Sequence, residues 1–520
     1  MPSSFTEQEI KFRLPEGGDP ARVRATIEAA GFRLEPQAGV THEDRYLDTE
    51  DWVLYRAGIA LRLRADGRRV RLEAKTLRSR SDEAMVRTEW AQDAPAADEL
   101  PWGGDALEPG PVTALLWPLR GLGIPKRLRV VARIRAEREC FRWLRGDDVL
   151  GLVTVDHVAL PGRNGDAAPP RRFDVVEIEL SNGHRDALSD VRRAVEGALG
   201  LRANVDSKLA SALAAAGLTA PERVERAYVV DIGDRLVDVA WKTLARHFGR
   251  LAWNEPGTRL GVDLEYLHDM RVASRRLRMA LEVFAGAIPE ETRTRFAEDL
   301  RYVGRALGRV RDLDVGLERV AAMEAEATEE ERAALSVFAT GLAIRRGQQR
   351  VALVEALDSE RFAGLLEAAG GWIAEGPPPG ASVPAGGAPA YHAAPRRVAE
   401  AEQALEAAYA EAERTMEPEA LHAVRLEAKR LRYTLEFLSP VLGAGAPARA
   451  KRIAVLQDFL GAHQDAVTLL ARLRKYARTI PRRDKSLTLG AGSAIGALER
   501  AARVKRGALR EAWGELEGLQ

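Results

Sequence analysis

From about residue 5 to residue 215, apolar and polar positions alternate in short runs. The segments "IALRLRA" (59–65), "RRVRLEAKTL" (68–77), "AMVRTEWAQ" (84–92), "LRVVARIRAERECFRWL" (128–144), "LVTVDHVAL" (152–160) and "RFDVVEIELSN" (172–182) all repeat with period two. That period predicts strands, because successive side chains of a strand point to opposite faces. Turn sequences such as "ADGR" and "LPGRNGD" separate them. A set of short strands like this predicts an antiparallel sheet or barrel. Helical patterns at 20–31, 111–121 and 185–199 are expected to flank it.

After about residue 228 the period changes to 3.6, in long Ala/Leu/Arg/Glu segments. "LHDMRVASRRLRMALEVF" starts at Leu267 and "LHAVRLEAKRLRYTLEFL" at Leu421, an offset of 421 − 267 = 154. "LGRVRDLDV" (307–315) and "LGAHQDAVT" (460–468) follow at an offset of 460 − 307 = 153. Two related helical units in tandem are predicted. The expected fold class is α+β and multidomain. An N-terminal antiparallel β-barrel with flanking helices would span 5–215, followed by a linker at 216–228. An all-α region of two tandem four-helix bundles would span 229–515, as halves 229–374 and 396–515 around a Pro/Gly-rich loop at 375–395.

Composition acts mainly by exclusion. The chain has 520 residues, more than one core normally organises, with 78 basic and 77 acidic residues and a formal net charge of +1. That balance gives no bulk attraction to nucleic acid, so only local patches carry information. The single cysteine, Cys140, rules out an intramolecular disulfide and fits a reducing compartment. The N-terminus lacks a signal-peptide pattern, and no apolar run reaches membrane-spanning length. A cytoplasmic protein without a membrane partner is expected.

The charges on the strands are patterned. Glu7, Glu9 and Lys11 share one face of "EQEIKF"; Arg62 and Arg64 share another, as do Arg71, Glu73 and Lys75, then Arg87 and Glu89, Arg133 and Arg135, and Glu177 and Glu179. A single strand of this kind is ordinarily a solvated face with its apolar side inward. The whole set supports a second reading, in which the strands close and the charges line a lumen. Such a lumen needs contents that offset its desolvation. Carboxylates for a hard divalent cation and Arg/Lys for phosphate oxygens suit a polyphosphate with Mg²⁺ or Mn²⁺.

At this point the sequence resembles a known family. "EQEIKF" is similar to the ExExK signature of CYTH domains, also called triphosphate tunnel metalloenzymes. "RYLDTEDWVLYRAGIALRLR", "LEAK", "RTEW", "RAEREC", "VDHV", "VEIEL" and "VDSKLASAL" follow in the family's order over about 5–215. The resemblance implies that Glu7, Glu9, Asp156, Glu177 and Glu179 hold the metal. It implies that Lys11, Arg62, Arg64, Lys75, Arg87, Arg133, Arg138 and Lys208 contact the substrate, with Glu7, Glu9, Lys11, Asp156, Glu177 and Glu179 as the catalytic set. Strand parity does not allow Arg133, Arg135 and Arg138 all to point inward. The sequence holds no Walker A loop or nucleophile elbow.

In the helical half, His268, Arg271, Arg275 and Arg278 form one helical stripe, repeated as His422, Arg425, Lys429 and Arg432. A basic stripe is ordinarily a solvated face; the same stripe in both copies points to a positive surface formed jointly. This half resembles the CHAD domain, the conserved-histidine α-helical domain, over about 229–515. The resemblance implies that these eight residues bind inorganic polyphosphate, with Asp312 and Asp465 holding basic residues in place. The stripes lack interleaved aromatics for base stacking, which disfavours nucleic acid. The expected function is metal-dependent hydrolysis of tripolyphosphate to diphosphate and phosphate, with a polyphosphate-binding module that could associate with polyphosphate granules. The alternatives are a non-catalytic polyphosphate-binding protein with a sensory barrel and, third, an adenylate cyclase.

Overall fold

The computed structural model describes residues 5–517 except 16, 68, 78–84, 96–98, 102–107, 123–126, 161–170, 182–184, 204–206, 216, 220, 222–227, 380–385, 416 and 482; the side chain of Glu7 also lies outside the described set. Two compact units result, one built from residues up to 222 with 254–266, the other from 223–253 and 267 onward.

The first unit carries strands β1 (Phe5–Arg13), β2 (Arg33–Asp48), β3 (Ile59–Ala65), β4 (Val70–Thr76), β5 (Met85–Asp93), β6 (Glu99–Pro101), β7 (Arg127–Arg145), β8 (Asp148–Leu160) and β9 (Arg171–Leu180). They pair antiparallel in the order β2-β3-β4-β5-β1-β9-β8-β7, with β6 added to β7. Because β2 also pairs with β7, the eight main strands close into a ring. Closure leaves an inner face that alternates along every strand with the outer one.

The outer face is the apolar one. Helices α1 (Pro20–Ala29), α2 (Val53–Arg56), α3 (Pro111–Leu116), α4 (Arg185–Leu199) and α5 (Lys208–Ala215) accompany the sheet. Val23 and Ile27 of α1 and Val191 and Val195 of α4 bury Ile10, Phe12, Val153, Val155, Val176 and Ile178. Leu54 of α2 and Val112 and Leu115 of α3 pack with Leu61, Leu63, Leu72 and Trp90. The strands are therefore buried on both faces, and the charged residues between these apolar ones point inward. Helix α5 differs from the other four. Its Leu209, Ala212 and Leu213 pack with Tyr46, Ile134, Ala136, Val158 and Leu160. These partners share strand parity with Arg138 and Asp156, so α5 covers inner-face residues and brings Lys208 with it.

The second unit is helical, built from α6 (Leu236–Leu260), α7 (Leu264–Val283), α8 (Glu290–Glu326), α9 (Glu329–Asp358), α10 (Glu360–Glu375), α11 (Ala390–Thr415), α12 (Pro418–Leu442), α13 (Gly445–Ala477) and α14 (Lys485–Glu517), except that the end of α6 from 254 and the start of α7 up to 266 belong to the first. Helix starts at 236, 264, 290 and 329 recur at 390, 418, 445 and 485, offsets of 154 to 156. The two predicted four-helix repeats are thus α6–α9 and α11–α14, with α10 as an additional helix after the first. The break between them is shorter than expected, because α11 starts at Ala390, inside the segment read as a loop. A shared core of Leu313, Leu335, Phe338, Leu469 and Leu473 joins α8 and α9 to α13. Among the described residues no helix is long and apolar enough to cross a membrane.

Candidate active site

Register sets the acidic wall. In the β1–β9 ladder Glu9 faces Glu179 and Lys11 faces Glu177. Directly opposed like charges are unfavourable in a sheet, so the Glu9/Glu179 pair needs a cation. Oxygens of Glu9, Glu177 and Glu179 lie within 4.8 Å of one another. Glu9 and Glu177 are buried and Glu179 is half-buried. Gly151 of β8 permits the tight approach here, since a Cβ at that position would stand 1.9 Å from the Glu179 carbonyl oxygen.

Lys11 and Arg87 partly balance the wall. Lys11 Nζ donates to Glu177 Oε1 at 2.6 Å and lies 3.1 Å from Glu9 Oε1, while Arg87 Nη1 lies 3.5 Å from Glu9 Oε1. Among the described residues neither Glu9 oxygen has a hydrogen-bond partner of good geometry, although the residue is fully buried. Glu177 also receives Arg138 Nη2 and Lys208 Nζ, each at 3.0 Å. Burial opposes the Glu177 charge, but Lys11, Lys208 and Arg138 outweigh it and hold the carboxyl well below its ordinary range. For Lys11 burial again opposes the charge, and Glu177 and Glu9 outweigh it, raising the pKa.

The basic wall comes from β3 and β4, with Asp44 of β2 between its arginines. Arg62 donates to Glu73 Oε2 at 2.8 and 3.0 Å and to Asp44 Oδ2 at 3.1 Å. Arg64 holds Asp44 through two bonds of 2.7 Å, and Lys75 pairs with Glu89. Arg64 stands opposite Arg71 in the β3–β4 register, a like-charge pair that favours an anion. A cavity is lined by Lys11, Tyr46, Arg62, Arg64, Lys75, Arg87, Arg138, Glu177, Glu179 and Lys208. Carboxylates on one side and guanidinium and ammonium groups on the other suit a cation-bound polyanion.

Two expected residues are placed differently. Arg133 lies on the outer face of β7, exposed and 3.5 Å from Glu43. Parity decides this: Ala132, Ile134, Ala136 and Arg138 point inward, so Arg133 and Arg135 point out. Asp156 is fully buried in the lumen, but Arg138 holds it through two bonds of 2.7 Å and Lys208 also pairs with it. It anchors cations and stands outside the Glu9/Glu177/Glu179 cluster. Asp44 and Tyr46 were not singled out from the sequence. Reading "HEDRYLD" for parity places His42, Asp44, Tyr46 and Asp48 on one face, which was the available signal.

In the helical unit, α7 and α12 bring both stripes together. Arg275 Nε donates to Tyr433 Oη at 3.0 Å, and Arg276 Nη2 to Glu436 Oε2 at 2.6 Å. Burial, then Arg275 and Arg278, push the Lys429 ammonium down to about 8. Burial and Arg275 likewise lower Arg271, which lies 3.9 Å from Asp312. Arg425 contributes to both fields. Arg432 lies 3.6 Å from Glu436, and a Cβ added at Gly304 of α8 would stand 3.7 Å from Arg278 Nη1. His268 is half-buried and His422 exposed. Arg319 pairs with Asp465 at 2.9 Å. Arg276 and Tyr433 complete this face and were not predicted.

The first unit is a closed tunnel with acidic and basic walls, and the second is a helical repeat with a basic face. Comparison with known families agrees. The CYTH domain family matches residues 6–210 and the CHAD domain family residues 242–474, so the chain carries a CYTH domain followed by a CHAD domain. Proteins with CYTH domains include triphosphatases and cyclases. An uncharacterized protein of Mycobacterium tuberculosis, found in strains CDC 1551 and H37Rv, is 31% identical over 207 residues. The match covers 39% of this chain and 38% of that protein. The CHAD domain from the plant Ricinus communis is similar at 25% identity and a TM-score of 0.46, covering 58% of this chain and 98% of that one. A Hippeastrum protein described as an adenylyl cyclase with dominant triphosphatase activity is similar at 19% identity and a TM-score of 0.29, covering 41% and 98%.

Proposed function

We propose that the chain is a metal-dependent inorganic triphosphatase that cleaves tripolyphosphate to diphosphate and phosphate, with a helical module that binds inorganic polyphosphate. The observation that carries the reading is the opposed Glu9/Glu179 pair with Glu177 beside it, facing Arg62, Arg64 and Lys75 across the lumen. A lumen built only to bind polyanions gains nothing from three clustered carboxylates. The buried oxygens of Glu9, which make no hydrogen bond of good geometry among the described residues, fit a hard cation. Mg²⁺ or Mn²⁺ held by Glu9, Glu177 and Glu179 would neutralise phosphate oxygens and favour water attack.

The chain's own groups do the rest. Arg62, Arg64 and Lys75 bind equatorial phosphate oxygens and stabilise their spread charge in the transition state. Lys11 and Arg138 lie between the walls and orient the chain of phosphates along the tunnel. Lys208, carried by α5, adds a donor. Asp44 and Asp156 keep the arginines extended into the lumen. In the helical module Arg271, Arg275, Arg278, Arg425, Lys429 and Arg432, with His268 and His422, present a polyanion surface.

The test is phosphate release from tripolyphosphate, ATP and diphosphate, each with and without Mg²⁺ or Mn²⁺. Metal-dependent release from tripolyphosphate in preference to ATP supports the reading. No release from any of the three, with tight polyphosphate binding, would leave a binding protein. Preferred turnover of ATP to a cyclic product would make the tunnel a cyclase.

A further inference from the structure

His42 lies on the inner face of β2, opposite Ala136 of β7. It is 2% exposed, and among the described residues neither ring nitrogen has a hydrogen-bond partner. Nε2 stands 3.8 Å from Asp44 Oδ2, beyond hydrogen-bonding reach. The charged groups that face it are Arg64 from β3, Asp44 on its own strand, Arg138 from β7 and Asp156 from β8. A buried imidazole with two unsatisfied nitrogens is costly to keep. Nothing in the reaction described above employs it.

The surroundings are balanced between two cations and two carboxylates. Burial first, then the Arg64 charge, push the imidazole down to about 4, so it is neutral at neutral pH. Arg64 and Arg138 are also the groups that an entering polyanion would neutralise. Once they face phosphate oxygens, Asp44 and Asp156 dominate the field at the ring. A protonated ring has N–H donors on both nitrogens, and one can turn to Asp44 as its arginines turn to the ligand.

We propose that His42 is a positioning residue that takes up one proton from solvent when a triphosphate enters the tunnel, and then holds Asp44 in place of the arginine bonds diverted to phosphate. This inference rests on the triphosphate reading above. By linkage, binding that takes up a proton tightens as pH falls, by up to about tenfold per pH unit for one full proton. Protonation of the free phosphate chain works in the opposite direction, but it is common to wild type and variants. Their difference therefore isolates His42.

The experiment uses the full-length chain with isotope-labelled histidine, eight residues in all, and metal-free tripolyphosphate as the probe. The His42 signal is assigned by its loss in His42→Asn, with His42→Gln as a second variant and circular dichroism as the folding control. Calorimetry on the same samples, in two buffers of different ionisation enthalpy, counts protons. The expected result is a His42 signal that moves from the neutral to the cationic position on binding, with wild type taking up as much as one proton more than either variant. Binding with an unchanged His42 signal and equal proton counts would overturn this inference alone. Absence of tripolyphosphate binding would overturn the triphosphate reading and this inference with it.

Discussion

Neutralising Glu177 is the sharpest probe of how dry the tunnel is. Its carboxylate is 3% exposed and receives Lys11 at 2.6 Å, Arg138 at 3.0 Å and Lys208 at 3.0 Å. Glu177→Gln keeps the shape and removes the charge, leaving three buried cations short of an anion. Breaking a buried ion pair by removing one partner costs about 3–5 kcal/mol. Asp156 still holds Arg138 and Lys208, and Glu9 still neighbours Lys11, so the lower end, about 3 kcal/mol, applies here. For a unit of this size that corresponds to roughly 6–12 °C in Tm. Differential scanning calorimetry of the full chain reads it as a shift of the tunnel unit's transition, with the helical unit's transition unmoved. The same surplus of positive charge predicts that metal-free tripolyphosphate binds the variant at least as tightly as wild type and restores much of the lost Tm. A variant that unfolds within about 0.5 kcal/mol of wild type would refute the reasoning, because it would mean that Glu177 is solvated like a surface charge.

Other predictions follow from the same geometry. Arg133→Ala should change stability by no more than about 0.5 kcal/mol and leave hydrolysis within twofold, because the side chain lies on the outer face, whereas Arg138→Ala should lower both; unfolding and phosphate-release assays decide. In Asp44 burial opposes the charge but Arg62 and Arg64 prevail, so both Asp44 and Glu177 have carboxyls below their ordinary values. The unfolded chain therefore binds more protons in acid, and the tunnel unit's stability is present above about pH 4 and lost as pH falls below it; urea midpoints between pH 3 and 7 check this. Lys429, at about 8, loses its charge as pH rises through that value, so polyphosphate affinity should fall between pH 7 and 9 and Lys429→Met should flatten the profile. Gly151→Ala forces a Cβ into the Glu179 carbonyl and should disturb metal-dependent activity more than polyphosphate binding.

Much of this architecture is legible in the sequence because two periods carry it. Charges at every second position of "EQEIKF", "LRLR" and "VEIEL" mark the inner face, and the strands they predict are present with ends shifted by a few residues. The orientation is not legible from one strand, since a solvated sheet shows the same alternation. Only closure, β2 on β7, makes the charged side interior. β2 itself was hidden. "RLEPQAGV" is mostly exposed, contains Pro36 and Gly39 and holds a bulge between Gln37 and Val40, so its period is broken. That is why His42, Asp44 and Tyr46 escaped notice while their partners Arg62 and Arg64 did not. Arg133 and Arg138 show the converse limit. Both belong to one basic strand, and parity separates them only once one residue of the strand is known to point inward. In the helical half the repeat predicted the pairing of α7 and α12, but Arg276 and Tyr433 lie off the stripe and join it only through packing.

The central claim is that the acidic wall holds a metal for triphosphate cleavage while the helical module binds polyphosphate independently. Phosphate release from tripolyphosphate with Mg²⁺ or Mn²⁺, compared between wild type and Glu9→Gln/Glu179→Gln, with polyphosphate binding measured on the same samples, tests it most directly. The account predicts metal-dependent release that falls by at least about 100-fold in the double variant, equivalent to about 2.7 kcal/mol of transition-state stabilisation, with polyphosphate binding retained. Release that is unchanged in the double variant, or that needs no metal in wild type, would contradict it.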